Sequence, residues 1–425
     1  MPSYDVVIAK KLIFYRMEMK IVEIKVRETI EAINKKKLAI QFILLFGVIS
    51  ALGDITYEGA RSVYGPYLGY LGASAVVIGI VSGFGEFLGY VLRLVSGYFI
   101  DRTQKYWLVT ILGYGLLIAV PLLAIAGKWQ IAALFIILER TGKAIRSPGK
   151  DAMLSHATKQ MGTGFGFGLH EALDQVGAII GPLIFTTALA LTGGYKQGFS
   201  VMWIPAILTV IIIFIVRFKV PEPKMLEENL QETKSTSGSP KSLSLVFWSY
   251  AVFTFISVLG FANFPIISYH LKIQNVVPEA QIPTLYAVAM AVDAVVAIII
   301  GKMYDKIGFV SLIAIPILTL PIAFLGFSNS SIFVIIAVIL WGAVMGIHET
   351  IMRAAIADIT AISNRGKAYG IFNTLYGLSM LIGGVAMGFL YDYSITSIIV
   401  FIVVIEILAL TAFVVFKRYI VKTIT

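Results

Sequence analysis

The chain of 425 residues contains no cysteine, which excludes disulfide bridges and thiolate metal sites. Its four histidines, at positions 156, 170, 270 and 348, are too scattered for a catalytic metal cluster. Charge is scarce as well: Asp, Glu, Lys and Arg together make up 14% of the residues, too little for a soluble globular domain of this length. Nucleotide-binding signatures are also missing. Gly142-Lys143 is followed by Ala144 rather than Ser or Thr, and the glycine-rich run from Gly162 to Gly168 leads into an apolar helix instead of a strand-to-helix turn. An ATP-driven pump is thereby excluded. The reading is of a protein that is not an enzyme, with no catalytic residues, no cofactor and no metal.

What the chain has is hydrophobic length. Apolar residues make up 58% of it, and the mean hydropathy is +0.88. Continuous apolar runs of about 18 residues or more read as membrane spans. They fall at 38–60, 75–100, 107–127, 130–148, 165–191, 198–217, 244–270, 284–304, 309–327, 331–352, 368–390 and 395–416. The runs do not alternate, which excludes barrel strands. The expectation is an all-α integral membrane protein of twelve transmembrane helices in two sets of six.

A net charge of +10 would suit a nucleic-acid binder, but its distribution does not. Arg102, Lys105, Lys150, Lys159, Lys302, Lys306, Arg365 and Lys367 fall on one side of the predicted spans, and mainly Lys128, Lys196 and Lys272 on the other. Basic loops stay inside, so both termini of a multi-pass cell-membrane protein face the cytoplasm. Residues 1–37 form a basic N-terminal segment without a cleavable signal pattern. They read either as a membrane-surface helix or as sequence ahead of a true start at Met17 or Met19. The two helical sets cover 38–217 and 244–425. The segment 218–243, with Pro221, Pro223 and a Ser/Thr-rich run, reads as a flexible cytoplasmic linker.

One short charged turn is written twice. Gly97-Tyr-Phe-Ile-Asp101-Arg102 leaves the second span and Gly301-Lys-Met-Tyr-Asp305-Lys306 leaves the eighth, 204 residues later. An internal repeat of close to half the chain implies one membrane unit used twice, as in alternating-access transporters. The pattern resembles the cytoplasmic loop signature of the major facilitator superfamily. In the fifth span, Gly168, Gly177, Gly181 and Pro182 resemble the motif of that superfamily's proton-coupled drug antiporters, although the Gly-Gly pair that continues it is missing here. The first-span sequence Gly53-Asp54-Ile-Thr-Tyr57-Glu58 and the fourth-span run Glu139 to Asp151 are similar to a poorly characterised prokaryotic branch of the superfamily. The resemblance implies a fold of two pseudo-symmetric six-helix bundles around a central cavity. It also implies gating by Gly97, Asp101, Arg102, Gly301, Asp305 and Lys306, as a latch between moving halves. Gly177, Gly181 and Pro182 then seal one side of the cavity.

Ionisable groups inside a bilayer are costly, so those present are paired, face water or carry function. Asp54, Glu58 and Arg61 share one stripe of the first span, and His170 and Asp174 lie one turn apart on the fifth, beside Glu171. Asp54, Glu58, His170, Glu171 and Asp174 are the candidate proton carriers. For Asp54 the competing reading is a permanent ion pair with Arg140, and for Glu58 a simple pair with Arg61. Lys143, Arg146 and Lys150 read as charges of the cytoplasmic helix end. The resemblance places the first, fourth, seventh and tenth helices on the cavity wall. The candidate solute-binding residues are Tyr57, Arg140, Phe261, Asn263, Phe264, Asp293, Trp341, Glu349 and Tyr376, an aromatic C-terminal half facing a charged N-terminal half.

The expected function is secondary active transport by alternating access, as proton-coupled export of a small organic solute by a monomer. Its partners are the solute, protons and membrane lipids, and no nucleic acid. The alternatives are proton-driven uptake of a nutrient or metal chelate, and a non-transporting receptor or sensor on the same fold.

Overall fold

The computed structural model describes residues 4–158, 163–226, 243–360 and 365–424, and the regular elements among them are all helical. Ten stretches are long and apolar enough to cross a membrane by themselves. Two observations raise the number of crossings to twelve. Glu279–Leu325 is 47 residues long, about twice what one crossing needs, and it turns at Gly308, where φ is +60°. Trp129–Thr158 is a full 30-residue helix whose charges lower its hydropathy.

The helices, in chain order, are Tyr4–Arg61, Ala75–Thr103, Tyr106–Ile125, Trp129–Thr158, Thr163–Thr192 and Tyr195–Lys219, then Leu245–Ile273, Ile282–Ile307, Ala314–Leu325, Ser331–Ile359, Arg365–Tyr393 and Ile395–Ile424. The sixth and seventh are interrupted, the seventh between Leu259 and Phe264. There Asn263 restarts the helix by accepting the Ile266 amide on its side-chain oxygen at 3.1 Å. Ser74 and Ser244 cap the second and seventh helices in the same way. The first helix is continuous from Tyr4, so the basic N-terminal segment and the first crossing form one helix. Residues 227–242 of the expected linker lie outside the described residues. Ahead of them Val220 is tied down, its carbonyl accepting from Trp107 Nε1 at 3.1 Å.

The fourth helix corrects the sequence reading. It does not end at Pro148 but carries that proline inside it and runs ten residues further. Lys143, Arg146 and Lys150 are therefore held within a helix instead of fraying at its end.

The repeated glycines occupy equivalent places. Gly97 sits against Pro148 of the fourth helix, and Gly301 against Thr350 of the tenth. Each thus packs two helices of its own half. The glycines of the fifth helix also serve packing within a half: a methyl group at Gly177 would strike the carbonyl oxygen of Ala51, and one at Gly181 that of Ile55, both on the first helix.

An even number of crossings puts both termini at one end of the bundle. The opposite end is closed by contacts between the halves. The second and eleventh helices meet backbone to backbone at Gly79 and Gly384. Asp392, at the end of the eleventh helix, accepts from the amides of Ala75 and Val76 at 3.2 and 3.3 Å, capping the second helix from the other half. Thr186 and Thr284 share a hydrogen bond of 2.9 Å. Glu279 takes hydrogen bonds from both Tyr195 and Lys272, and the Lys272 ammonium lies over the rings of Tyr70 and Tyr195.

Candidate functional site

Below this closure, toward the termini, a cavity of about 260 Å³ lies between the halves, beside a second of about 130 Å³. Residues of the first to fifth, eighth, tenth and eleventh helices line them. Their walls are unusually charged for membrane depth, and the charges are arranged in two chains of contacts.

The first chain is centred on Tyr57. Glu86 bridges Arg140 at 3.0 Å and Arg61 at 3.1 Å. Arg61 also reaches Glu58 at 3.7 Å, and Lys143 approaches the same carboxylate at 3.5 Å. Arg140 donates to the Tyr57 hydroxyl. Lys143, Arg140 and Arg61 stand around the Tyr57 ring at 3.7, 4.9 and 5.9 Å from its centroid, so the ring's negative face adds to the carboxylates in holding three cations together. Glu58 completes the chain by accepting from the Tyr286 hydroxyl of the eighth helix at 2.6 Å. That bond joins the two halves.

The second chain runs from the third helix to the fourth. Tyr114 and the Ser50 hydroxyl are 3.2 Å apart, Ser50 and His170 Nε2 2.9 Å, and His170 Nδ1 and Asp174 3.7 Å. Lys150 closes on Asp174 at 3.4 Å. His170, Glu171 and Asp174 offer ligand atoms within 4.8 Å of one another, but the Lys150 ammonium already holds Asp174. A buried cation at that place disfavours a metal.

The placement of the expected residues is mixed. Asp54, Glu58, Glu171, Asp174, Asp293 and Glu349 do line the cavities, and Tyr57, Arg140 and Tyr376 do too. The supposed pair between Asp54 and Arg140 is absent, because Glu86 and Tyr57 occupy the guanidinium instead. Asp54 has no counter-ion within 4 Å among the described residues. Glu58 does pair with Arg61, but shares itself with Lys143 and Tyr286.

Phe261, Asn263, Phe264 and Trp341 are off the wall. Phe264 packs on Tyr286 and Trp341, with centroids 4.6 and 5.5 Å apart, and Phe261 stacks on Trp341 at 5.6 Å. Trp341 Nε1 donates to the Ala262 carbonyl at 2.8 Å, locking this aromatic plug to the interrupted seventh helix. These large rings are all nearly fully buried against one another.

The charged turns form no latch among the described residues. Asp101, Arg102, Asp305 and Lys306 are exposed, no ion pair joins the halves through them, and Arg102 lies over Tyr98 of its own helix at 4.7 Å. The expected site does not include Glu86, Lys143 and Lys150, nor Tyr286 as a polar partner. For Glu86, a lone carboxylate in an apolar run was the signal available.

Twelve crossings, an internal repeat and a charged cavity between the halves, with contacts closing the far end, define a membrane transporter of the two-bundle type. The sequence model of the Major Facilitator Superfamily matches residues 39–353 and 250–423. The chain belongs to that superfamily. An uncharacterised protein of Mycobacterium tuberculosis is 41% identical over 373 residues, 87% of this chain and 91% of that protein. An uncharacterised MFS-type transporter of Methanocaldococcus jannaschii is 29% identical over 365 residues, 83% of this chain and 89% of its own length. Among solved structures, a bacterial homologue of the human lysosomal transporter Spinster, in an inward-facing and unoccupied conformation, superimposes with a TM-score of 0.70 at 14% identity, over 91% of this chain and 98% of that one.

Proposed function

We propose that the protein is a monomeric proton-coupled exporter of a small organic solute, with Asp54 as the coupling carboxyl and both termini in the cytoplasm. The observation that carries this reading is the position of Asp54 between two occupied cations. It lies within electrostatic reach of Lys143 and Lys150, yet Glu58 holds the first and Asp174 the second. A carboxyl left over in this way fits a proton-bearing Asp54. Once ionised, it competes for Lys143 and Lys150 and weakens the Glu58 cluster that ties the first helix to Tyr286. Proton release toward the termini side thus favours opening of the far end, and proton uptake favours the closed form. Solute and proton then occupy opposite strokes of one cycle, which is antiport.

The basic loops on the termini side support the orientation. The partial antiporter motif supports the direction. Both are tested in proteoliposomes with a panel of radiolabelled solutes and an imposed pH gradient. Export predicts gradient-driven movement from the termini side to the far side, abolished by a protonophore. Accumulation in the opposite sense would establish uptake instead, and binding without any flux would establish a receptor.

A further inference from the structure

The two walls of the cavity differ in charge. From the N-terminal half come Arg61, Arg93, Arg140, Lys143, Arg146 and Lys150, set against Asp54, Glu58, Glu86, Asp151, Glu171 and Asp174, which makes six of each sign. From the C-terminal half come Asp293 and Glu349, with no lysine or arginine among the described lining residues. The N-terminal wall carries both signs in equal number, and the two chains of contacts pair Glu58, Glu86 and Asp174 with Arg61, Arg140, Lys143 and Lys150; the C-terminal wall has no such cations.

Three further observations point to what belongs there. Asp293 is only 3% exposed, lines the smaller cavity, and has neither a counter-ion within 4 Å nor a hydrogen-bond donor among the described residues, Arg61 acting on it only from further away. Glu349 lies near enough to both Asp293 and Glu171 to repel them, so three carboxylates from two halves face one space. Beside them the wall turns soft and apolar, with Met345, Met380, Phe372 and Tyr376. In this wall His348 spends Nδ1 on the Tyr376 hydroxyl at 3.1 Å and leaves Nε2 buried without a partner.

We propose that the transported solute is a hydrophobic organic amine, whose ammonium group sits between Asp293 and Glu349 and whose apolar body lies against Phe372, Tyr376 and the two methionines. A single cation there relieves the repulsion among Asp293, Glu349 and Glu171. It also gives a buried carboxylate the charged partner that burial demands. Methionine and aromatic side chains accept varied apolar shapes, and the aromatic faces favour a nearby cation. Because Glu171 belongs to one half and the other two acids to the opposite half, the bound amine also draws the halves together on the termini side. This assignment rests on the transporter reading and names its substrate class.

The test is equilibrium binding of three probes of matched size to the purified full-length chain: phenethylamine, phenylpropionate and the neutral phenylpropanol. The expected result is saturable binding of phenethylamine only. Asp293→Asn and Glu349→Gln should each weaken it by about tenfold or more, or about 1.4 kcal/mol, whereas Glu349→Asp, which keeps the charge, should retain it within about threefold. Thermal unfolding of each variant without probe separates lost binding from lost folding. Phenylpropionate binding as tightly as phenethylamine would overturn the proposal, as would phenethylamine binding indifferent to both neutral variants in folded protein. Either failure leaves the pH-driven conformational cycle standing, since that cycle is read without any solute.

Discussion

Tyr286 of the eighth helix donates its hydroxyl to Glu58 of the first at 2.6 Å, across the boundary between the two halves of the molecule. The acceptor is a carboxylate already held by Arg61 and Lys143, so the strength of this bond depends on what those cations are doing. In the proposed cycle this bond links closure of the far end to the charge state of the cavity. A hydrogen bond to a charged group contributes roughly 1.5–3 kcal/mol. Tyr286→Phe should therefore shift the balance toward the far-end-open form by about tenfold. Spin labels on Lys128→Cys and Asn329→Cys, in far-end loops of the two halves, read this as a gain in the long-distance population. The absence of native cysteine makes these the only labels.

Asp392→Ala removes the carboxylate that caps the second helix from the other half. Loss of such a cap costs about 1 kcal/mol. The same pair of labels should show a shift in the direction of Tyr286→Phe, but of about fivefold.

Glu86→Gln leaves Arg61 and Arg140 side by side without their shared carboxylate. Removing one partner of a buried ion cluster costs about 3–5 kcal/mol. The expected outcome is a large fall in the unfolding midpoint of the purified protein. A midpoint unchanged from the natural chain would show that the cluster is solvated enough not to need its centre.

Asp101→Asn, by contrast, should leave stability within about 0.5 kcal/mol, because the exposed carboxylate has no ion-pair partner among the described residues. The same denaturation experiment checks it. A loss of several kcal/mol would place a partner at the repeated turn that this conformation does not show.

These contrasts follow how the fold is written in the sequence. Twelve crossings and the duplication are legible because bilayer thickness imposes run length and because Gly97 and Gly301 recur with their Asp-cation turns. Pro148 and four basic residues make the fourth helix look shorter in the sequence than it is. Tertiary contacts override that local signal: the cations are held by Glu58, Glu86 and Asp174 from other helices. Asp54, Glu58, Asp293 and Glu349 could be placed on the wall, since a charge within an apolar run has nowhere else to go. Which cation each acid takes was not legible, because partners such as Glu86 and Arg140 come from different helices whose rotation the sequence does not state. The aromatics are ambiguous for the opposite reason, since Phe261, Phe264 and Trp341 suit a binding pocket and a solid plug equally well.

The central claim is that a proton on Asp54 controls closure of the far end. It is tested most directly by measuring two spin-label distances between pH 5.5 and 8, in lipid nanodiscs without solute. One pair, Lys128→Cys with Asn329→Cys, reports the far end, and the other, Lys105→Cys with Lys306→Cys, reports the termini end. As pH rises, Asp54 ionises and draws on Lys143 and Lys150, so the far-end distance should lengthen while the termini-end distance shortens. In Asp54→Asn, which mimics the protonated carboxyl, both should stay at their low-pH values throughout. Distances that ignore pH in the natural background, or an Asp54→Asn variant that still follows pH as the natural chain does, would contradict the account.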